Sequence, residues 1–417
     1  MRVVVTTESR LIRTPDGRVW TSTTADHRFW RRYLSAFDQV RVVARVLDQR
    51  EPPADLRRVD GEGVEVHAVP YYLGPWQYLR QRHLVRRAVG AAATADDAVI
   101  LRVPSVLGTL LCAARVRQGL PFAVEVVGDP WDVFAKGVIR HPLRPLLRSR
   151  ATRRLRRECR AAAAVSYVTE SHLQARYPGA PGVPTVAVSS IDLPAEAFVA
   201  RPRRFARQVG VVPTIVAVGT LEQMYKGVDT LVLAVAQLAA RGVRVRLVHL
   251  GDGQYRNRLH RLITEHGVAD RVTLAGWVAP GTPLREQLDR ADLFVMPSRT
   301  EGLPRALIEA MARALPAIGT RVGGIPELLP AADTVLPGDP SALATAIALM
   351  LDDPARMDAA SARNLARARQ FSRETLEPRR NGFYQMVRDA MARPSSGADP
   401  SPPMLRADVP GPTRIQT

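Results

Sequence analysis

Asp292-Leu293-Phe294-Val295-Met296-Pro297-Ser298-Arg299-Thr300-Glu301-Gly302-Leu303-Pro304-Arg305-Ala306-Leu307-Ile308-Glu309 reads as a short apolar strand, a loop and a helix. Proline fits the first helical position, so the helix is expected to open near Pro304. Glu301 then lies in the loop at the helix mouth, beside free backbone N–H groups that attract phosphate. Glu309 projects one to two turns inside the helix, further along the same ligand. A carboxylate only accepts hydrogen bonds and suits paired hydroxyls such as those of a ribose. Phosphate at one end and hydroxyls at the other describe a sugar nucleotide.

Lys226 joins this pattern about 75 residues upstream. Of 59 Lys plus Arg residues, only Lys136 and Lys226 are lysines. A chain so biased toward arginine still places a lysine before Gly227, where a compact ammonium differs physically from a planar guanidinium. Lys226 is the candidate point charge for a diphosphate, against a chance survival of one lysine on the surface.

Length and composition narrow the classes. A chain of 417 residues suits two to three domains, and 46% hydrophobic residues can fill substantial cores. Cys112 and Cys159 form neither a metal cluster nor a disulfide framework. Both are expected to be reduced, as in a cytoplasmic protein. The start, Met1-Arg2-Val3-Val4-Val5-Thr6, is too short an apolar run for a signal peptide, and no run is long enough to span a membrane. A net charge of +19 invites a nucleic-acid reading. Arginine is spread along the whole chain and aromatics are only 6%, so no nucleic-acid partner is expected. Arg140–Arg160 is the local exception, with Leu143, Leu147, Ala151 and Leu155 as an apolar stripe beside a basic face. Two readings stand for it: a solvated surface helix, or contact with an anionic membrane surface or acidic acceptor.

Short β-rich runs alternate with helical stretches in both halves, which predicts an α/β chain with parallel sheets. The expected division is a first domain over 1–192, a linker over 193–212, a second domain over 213–370, a last helix over 371–392 and a disordered tail over 393–417. First-half strands are expected at Val3–Thr6, Val40–Val46, Val64–Val69, Ala98–Val103, Phe122–Val127, Ala164–Val168 and Thr185–Val188. In the second half, glycines fall at the carboxyl ends of the strands, where ligands bind in such sheets: Gly219, Gly251, Gly253, Gly276, Gly302, Gly323 and Gly324.

These segments carry a resemblance. Residues 214–330 resemble the nucleotide-sugar domain of retaining glycosyltransferases of family 4, in the order Val218-Gly219-Thr220-Leu221, Lys226-Gly227-Val228-Asp229, Leu250-Gly251-Asp252-Gly253, Leu274-Ala275-Gly276-Trp277-Val278, then the Glu301–Glu309 element and Val322-Gly323-Gly324-Ile325-Pro326-Glu327. The first half resembles the family only in layout. The resemblance implies the GT-B fold, two Rossmann-like doubly wound domains facing a cleft, with the last helix crossing back to the first domain. It implies transfer of a hexosyl or N-acetylhexosaminyl group from a nucleoside-diphosphate sugar, UDP-linked by preference. The acceptor would be a hydroxyl of a glycan, a lipid-linked sugar or a small natural product.

In that reading Lys226 and Glu301 are the catalytic pair. Lys226 and Thr220 meet the diphosphate, and Glu309 holds the ribose. Glu301, Gly302 and Leu303 hold the sugar and adjoining phosphate, while the backbone around Trp277 and Val278 bounds the base. Three departures from the family stand out. Thr220 replaces an arginine, for which Arg305 or Arg321 could compensate. The Gly219–Lys226 loop is one residue longer than the common form. Gly128-Asp129 replaces a histidine, leaving Asp129 either in that role or as a turn residue. The family's glycine-rich loop shrinks to Pro15-Asp16-Gly17, making Gly17 the candidate for close approach to the diphosphate. No acidic pair marks a metal-bound diphosphate, so neither metal nor cofactor is expected. The rivals are a catalytically silent sugar-nucleotide-binding protein and an epimerase of the same architecture.

Overall fold

The computed structural model describes residues 1–51, 56–134, 142–206 and 210–392. The expected tail over 393–417 lies outside them, as do Arg140 and Lys136. Two parallel sheets organise the chain. The first contains β1 (Arg2–Arg13), β2 (Val19–Thr21), β3 (Gln39–Asp48), β4 (Arg57–Arg58), β5 (Val64–Pro70), β6 (Ala98–Val103), β7 (Ala123–Val126), β8 (Ala164–Tyr167) and β9 (Thr185–Ala187). Its parallel strands run β5-β3-β1-β6-β7-β8-β9. The second contains β10 (Thr214–Val218), β11 (Arg246–Leu250), β12 (Val272–Gly276), β13 (Leu293–Met296), β14 (Ala317–Thr320) and β15 (Thr334–Val335), ordered β12-β11-β10-β13-β14-β15.

The strands are apolar because helices cover both faces of each sheet. Val4, Val99 and Val124 face one layer of the first domain, while Val3, Val5 and Ile100 face the other. In the second domain Ile215, Leu247 and Val295 pack against the helix Val228–Ala240. Val216, Phe294 and Ala317 pack on the opposite side, against the helix Arg305–Ala312. Two short strands were not foreseen. β2 and β4 pair antiparallel beside the far end of β1, and at two or three residues each they carry no alternating pattern.

The last helix, Arg373–Ala392, begins against the second domain and ends in the first. Leu376 joins the second-domain core, whereas Phe383, Tyr384 and Val387 are buried in the first. Arg373 anchors its start through paired hydrogen bonds to Asp192, at 2.8 and 3.2 Å. The segment expected as a linker, 193–212, is not free where described. Leu193 and Ala197 are buried in the second-domain core, and the Arg203 guanidinium donates to the carbonyls of Arg313, Ala291 and Leu288. The chain therefore crosses between domains at Ser189–Asp192.

A second crossing is made by one carboxylate. Glu327 accepts hydrogen bonds from Glu170 N, Ser171 N, Ser171 Oγ and His172 N at 2.7–3.0 Å. It serves as a cross-domain cap for the short helix His172–Arg176. Arg367 extends the contact to Glu170 at 2.7 Å. Hydrogen bonds to a charged acceptor are worth roughly 1.5–3 kcal/mol. Glu327→Ala should therefore lower unfolding stability by about that amount in urea titration, and Glu327→Gln, which keeps an acceptor oxygen, should lose less. An unchanged midpoint in Glu327→Ala would show that the clamp carries no load.

Candidate functional site

The carboxyl ends of the two sheets face each other across a cleft, and the second-domain wall is built by close backbone approaches. Gly227 has φ +69°, and a Cβ there would lie 1.9 Å from Pro297 O. Only glycine lets the turn Met224–Lys226 press against the loop leaving β13. Arg299 fastens the two loops by pairing with Asp229 at 2.8 and 2.9 Å. Lys226 Nζ is thereby delivered to Glu301 Oε1 at 2.6 Å, and Ser298 Oγ donates to the same oxygen at 2.7 Å. Both side chains are largely withdrawn from solvent, at 18% and 8% exposure. Burial works against the lysine's charge, but Glu301 and Tyr225 outweigh it and raise its pKa, so the ammonium is retained.

Glu301 is held from behind as well. A Cβ on Gly323 would fall 2.0 Å from Glu301 O, and Gly324 N donates to Gly302 O at 2.7 Å. Gly302 itself faces the first domain, where a Cβ would lie 2.6 Å from Val127 O. Pro304 stands at the cap of the helix Arg305–Ala312, which begins one position after the expected start. Glu309 lies a little over one turn inside the helix, as expected. Its carboxylate accepts no hydrogen bond from any described residue, and burial, opposed by Arg305 and Arg285, raises its pKa. A half-buried carboxylate without donors on a cavity wall is an acceptor for a ligand.

Two adjoining cavities of ≈ 580 and ≈ 370 Å³ share Thr24, Phe29, Ser190, Pro280, Arg305 and Glu309. The larger brings together Thr220, Lys226, Glu301, Gly302, Leu303 and Glu309, as expected. Thr220 Oγ1 accepts from Glu222 N at 3.1 Å, which orders the loop without adding charge. Arg305 reaches Thr24 Oγ1 across the cleft at 2.6 Å and lines both cavities. Arg321 does not, since its guanidinium lies on Thr334 at the sheet edge.

Several expectations need correction. Gly17 is outside the cleft. It turns the chain between β1 and β2 at φ +82° and lines a separate cavity with Arg13, Arg58 and Glu62. Its place in the cleft is taken by Thr7 and Ser9, where the pairing of β1 with β3 is interrupted, and by Thr23–Ala25 after β2, none of which the motifs marked. Arg102 was also missed; it lines the same wall, paired with Glu125 beneath it. Trp277 and Val278 do not line either cavity. Trp277 is 54% exposed and Val278 packs on the second-domain core, while Pro280 reaches the wall. Asp129 is a structural residue, capping the helix Pro130–Val133 and bonded to Arg176 and Tyr177. With Asp132 and His172 it forms a group of possible metal ligands among the described residues. Arg176 already supplies that group with positive charge, and it lies away from the cleft.

Comparison with known proteins agrees with this geometry. Residues 212–353 match the family model described as Glycosyl transferases group 1. The Staphylococcus aureus protein CapJ is 26% identical over 309 residues, 72% of this chain and 73% of its own. A GDP-mannose-dependent alpha-(1-6)-phosphatidylinositol monomannoside mannosyltransferase of Mycobacterium tuberculosis is 39% identical over 128 residues, 29% of this chain and 32% of its own. In structure, the sucrose-phosphate synthase of Thermosynechococcus elongatus superposes with a TM-score of 0.70 at 18% identity, over 94% of this chain and all of that one. HepE of Anabaena, solved with UDP-glucose, gives 0.60 at 16% identity over 94% and 99% of the two chains. These likenesses extend the fold to both domains, and the sequence match falls on the domain that carries Lys226, Glu301 and Glu309. The chain accordingly has the two-domain GT-B fold, and residues 212–353 match the glycosyl transferases group 1 domain.

Proposed function

We propose that this glycosyltransferase is a retaining enzyme of the family-4 type. It moves a hexosyl or N-acetylhexosaminyl group from a nucleoside-diphosphate sugar, UDP-linked by preference, to an acceptor hydroxyl. The observation that carries the reading is the largely buried Lys226–Glu301 pair at the mouth of a helix whose next inward carboxylate, Glu309, accepts no hydrogen bond from a described residue. The HepE complexes with UDP and UDP-glucose support a uridine donor, while the mycobacterial relative named for GDP-mannose shows what the alternative would be.

The mechanism follows from where charge develops. Breaking the sugar–phosphate bond builds negative charge on the departing diphosphate. Lys226 and the N–H groups of Gly302 and Leu303 are placed to receive it, and preorganised donors of this kind act most strongly in the transition state. Glu301, fixed by Ser298, orients the ammonium and offers its second oxygen to a sugar hydroxyl. In a front-face displacement the leaving phosphate takes the acceptor proton, so retention needs no side-chain nucleophile. No step draws on a metal or cofactor. The setting is the cytoplasm or the inner face of its membrane, where sugar nucleotides are available. Among the described residues no helix is long and apolar enough to cross a membrane.

Acceptor-dependent release of free nucleoside diphosphate tests the activity. Donor binding without release under any acceptor would fit a silent binding protein instead, and interconversion of the donor sugar would fit an epimerase. Lys226→Ala should lose on the order of 100- to 1000-fold in turnover while donor affinity falls far less. Lys226→Arg should also be impaired, because a planar guanidinium does not reproduce a compact point charge in a tight loop. Near-parental turnover in the arginine variant would contradict the diphosphate role.

Glu309→Gln separates function from stability. Because the folded state holds the Glu309 proton more tightly than the unfolded chain, its contribution to stability is lost as pH rises from the ordinary glutamate range through the raised value. The glutamine variant should thus be more stable than the parent at neutral pH and lose that advantage in acid, by thermal unfolding. Donor affinity should fall by roughly 1.5–3 kcal/mol in calorimetry, the cost of hydrogen bonds to a charged group. Unchanged donor affinity would remove Glu309 from the ribose site.

A further inference from the structure

Three helices cover one face of the first sheet: Gly74–Gly90 after β5, Val106–Arg117 after β6 and Arg144–Ala161 after β7. The first packs on the second and the second on the third. Together they hold fourteen arginines and a single carboxylate, Glu158, which is buried and accepts from Thr109 Oγ1 at 2.7 Å. Most of the chain's +19 charge therefore sits on this one face. The apolar stripe expected on the third helix does not keep to one environment: Leu143 is 55% exposed before the helix begins, Leu147 and Ala151 are partly buried, and Leu155 is in the core with Thr152, Glu158 and Cys159.

Leu84 and Val116 are exposed further along the first two helices, but most of the exposed apolar residues of this face lie at the amino ends of the three. Leu73 (45%), Trp76 (77%) and Leu79 (50%) lie at the start of the first helix, Val106 (38%) opens the second, and Leu146 (52%) stands in the first turn of the third. Trp76 is nine residues from buried Val85, half a revolution around the helix, and so faces directly away from the core. Helices that follow parallel strands all start at the strands' carboxyl edge, which is the edge bordering the cleft. Arg80 is exposed one turn from Trp76, with Arg86 and Arg87 exposed further along the same helix, and Arg150, Arg153 and Arg154 are exposed beyond Leu146.

We propose that this rim of the first domain lies on an anionic bilayer, with Trp76, Leu79 and Leu146 in the headgroup layer and the surrounding arginines on lipid phosphates, so that the acceptor entering the neighbouring cleft is lipid-linked. An indole is suited to the interfacial layer, and a basic field without exposed carboxylates complements the negative surface potential of anionic lipid. Nucleic acid would use the arginines but gives no reason for an exposed tryptophan and leucines beside them. The acceptor part of this inference rests on the transferase reading; the membrane contact does not.

The test mixes the whole protein with vesicles of phosphatidylcholine alone or of phosphatidylcholine with phosphatidylglycerol, and follows sedimentation and tryptophan emission. Sedimentation with the anionic vesicles should exceed that with neutral ones by about tenfold at low salt and decline as salt rises, since exposed charges are screened. Trp76→Ser with Leu79→Ser, and separately Arg153, Arg154 and Arg157 each to Glu, should weaken it while calorimetric donor affinity stays at the parental value. Recovery in the supernatant with both vesicle types, or equal sedimentation with both, overturns the proposal. So does parental binding by the Trp76 and Leu79 variant together with equal displacement by an oligonucleotide, which would mark a general polyanion surface. A protein that binds vesicles but no nucleoside-diphosphate sugar would sink the transferase reading and leave the membrane contact standing.

Discussion

The ion pair between Lys226 and Glu301 fixes the geometry on which the second-domain wall depends. At 2.6 Å and largely out of water, it satisfies the electrostatic need of both groups only while each stays in place. Removing either partner would leave a charge without an answer in a dry site. The pair is also open to exchange. Ser298 Oγ also donates to Glu301, so in the proposed mechanism the carboxylate keeps a donor when the lysine meets the diphosphate. A site built this way is ordered before its ligand arrives, which is the condition for stabilising charge that appears only during bond cleavage.

Around the pair, backbone proximity does what side chains cannot. Gly227 lets the lysine turn touch the β13 loop, Gly323 lets the following segment back Glu301, and Gly302 lets the second domain approach Val127 of the first. The same junction is braced from outside by Glu327, which satisfies four donors of the opposite domain. Fold and site are therefore one construction, and a residue far from the cleft floor contributes by keeping two walls at a usable distance.

The second domain was legible because its strands are buried on both sides and read as apolar runs ended by glycine. Thr214–Val218 and Leu293–Met296 match in both bounds. Lys226, Glu301 and Glu309 stood out because their spacing belongs to a single strand–loop–helix unit and the turn beside it. What failed was non-local. Gly17 has the positive φ expected of a glycine at a phosphate, but a hairpin turn demands the same φ. Whether Asp129 faces ligand or caps a helix depends on Arg176 and Tyr177, nearly fifty residues later. The roles of Thr23–Ala25, Arg102 and Glu327 require knowing which loops meet across the cleft. The stripe from Leu143 to Leu155 had helical spacing, yet spacing does not say whether a stripe faces the core or the solvent.

The central claim is that Lys226 answers the diphosphate rather than Glu301 alone. The most direct measurement compares calorimetric binding of nucleoside, nucleoside diphosphate and nucleoside-diphosphate sugar, in the uridine and guanosine series, to the parent and to Lys226→Met. The account predicts a large affinity increment from nucleoside to free nucleoside diphosphate, which carries the charge of the departed leaving group, in the parent; in the variant most of that increment is gone, nucleoside binding is retained and the intact donor loses far less. The same increment in both proteins would contradict it, because the diphosphate would then be held by groups other than the one around which the site is built.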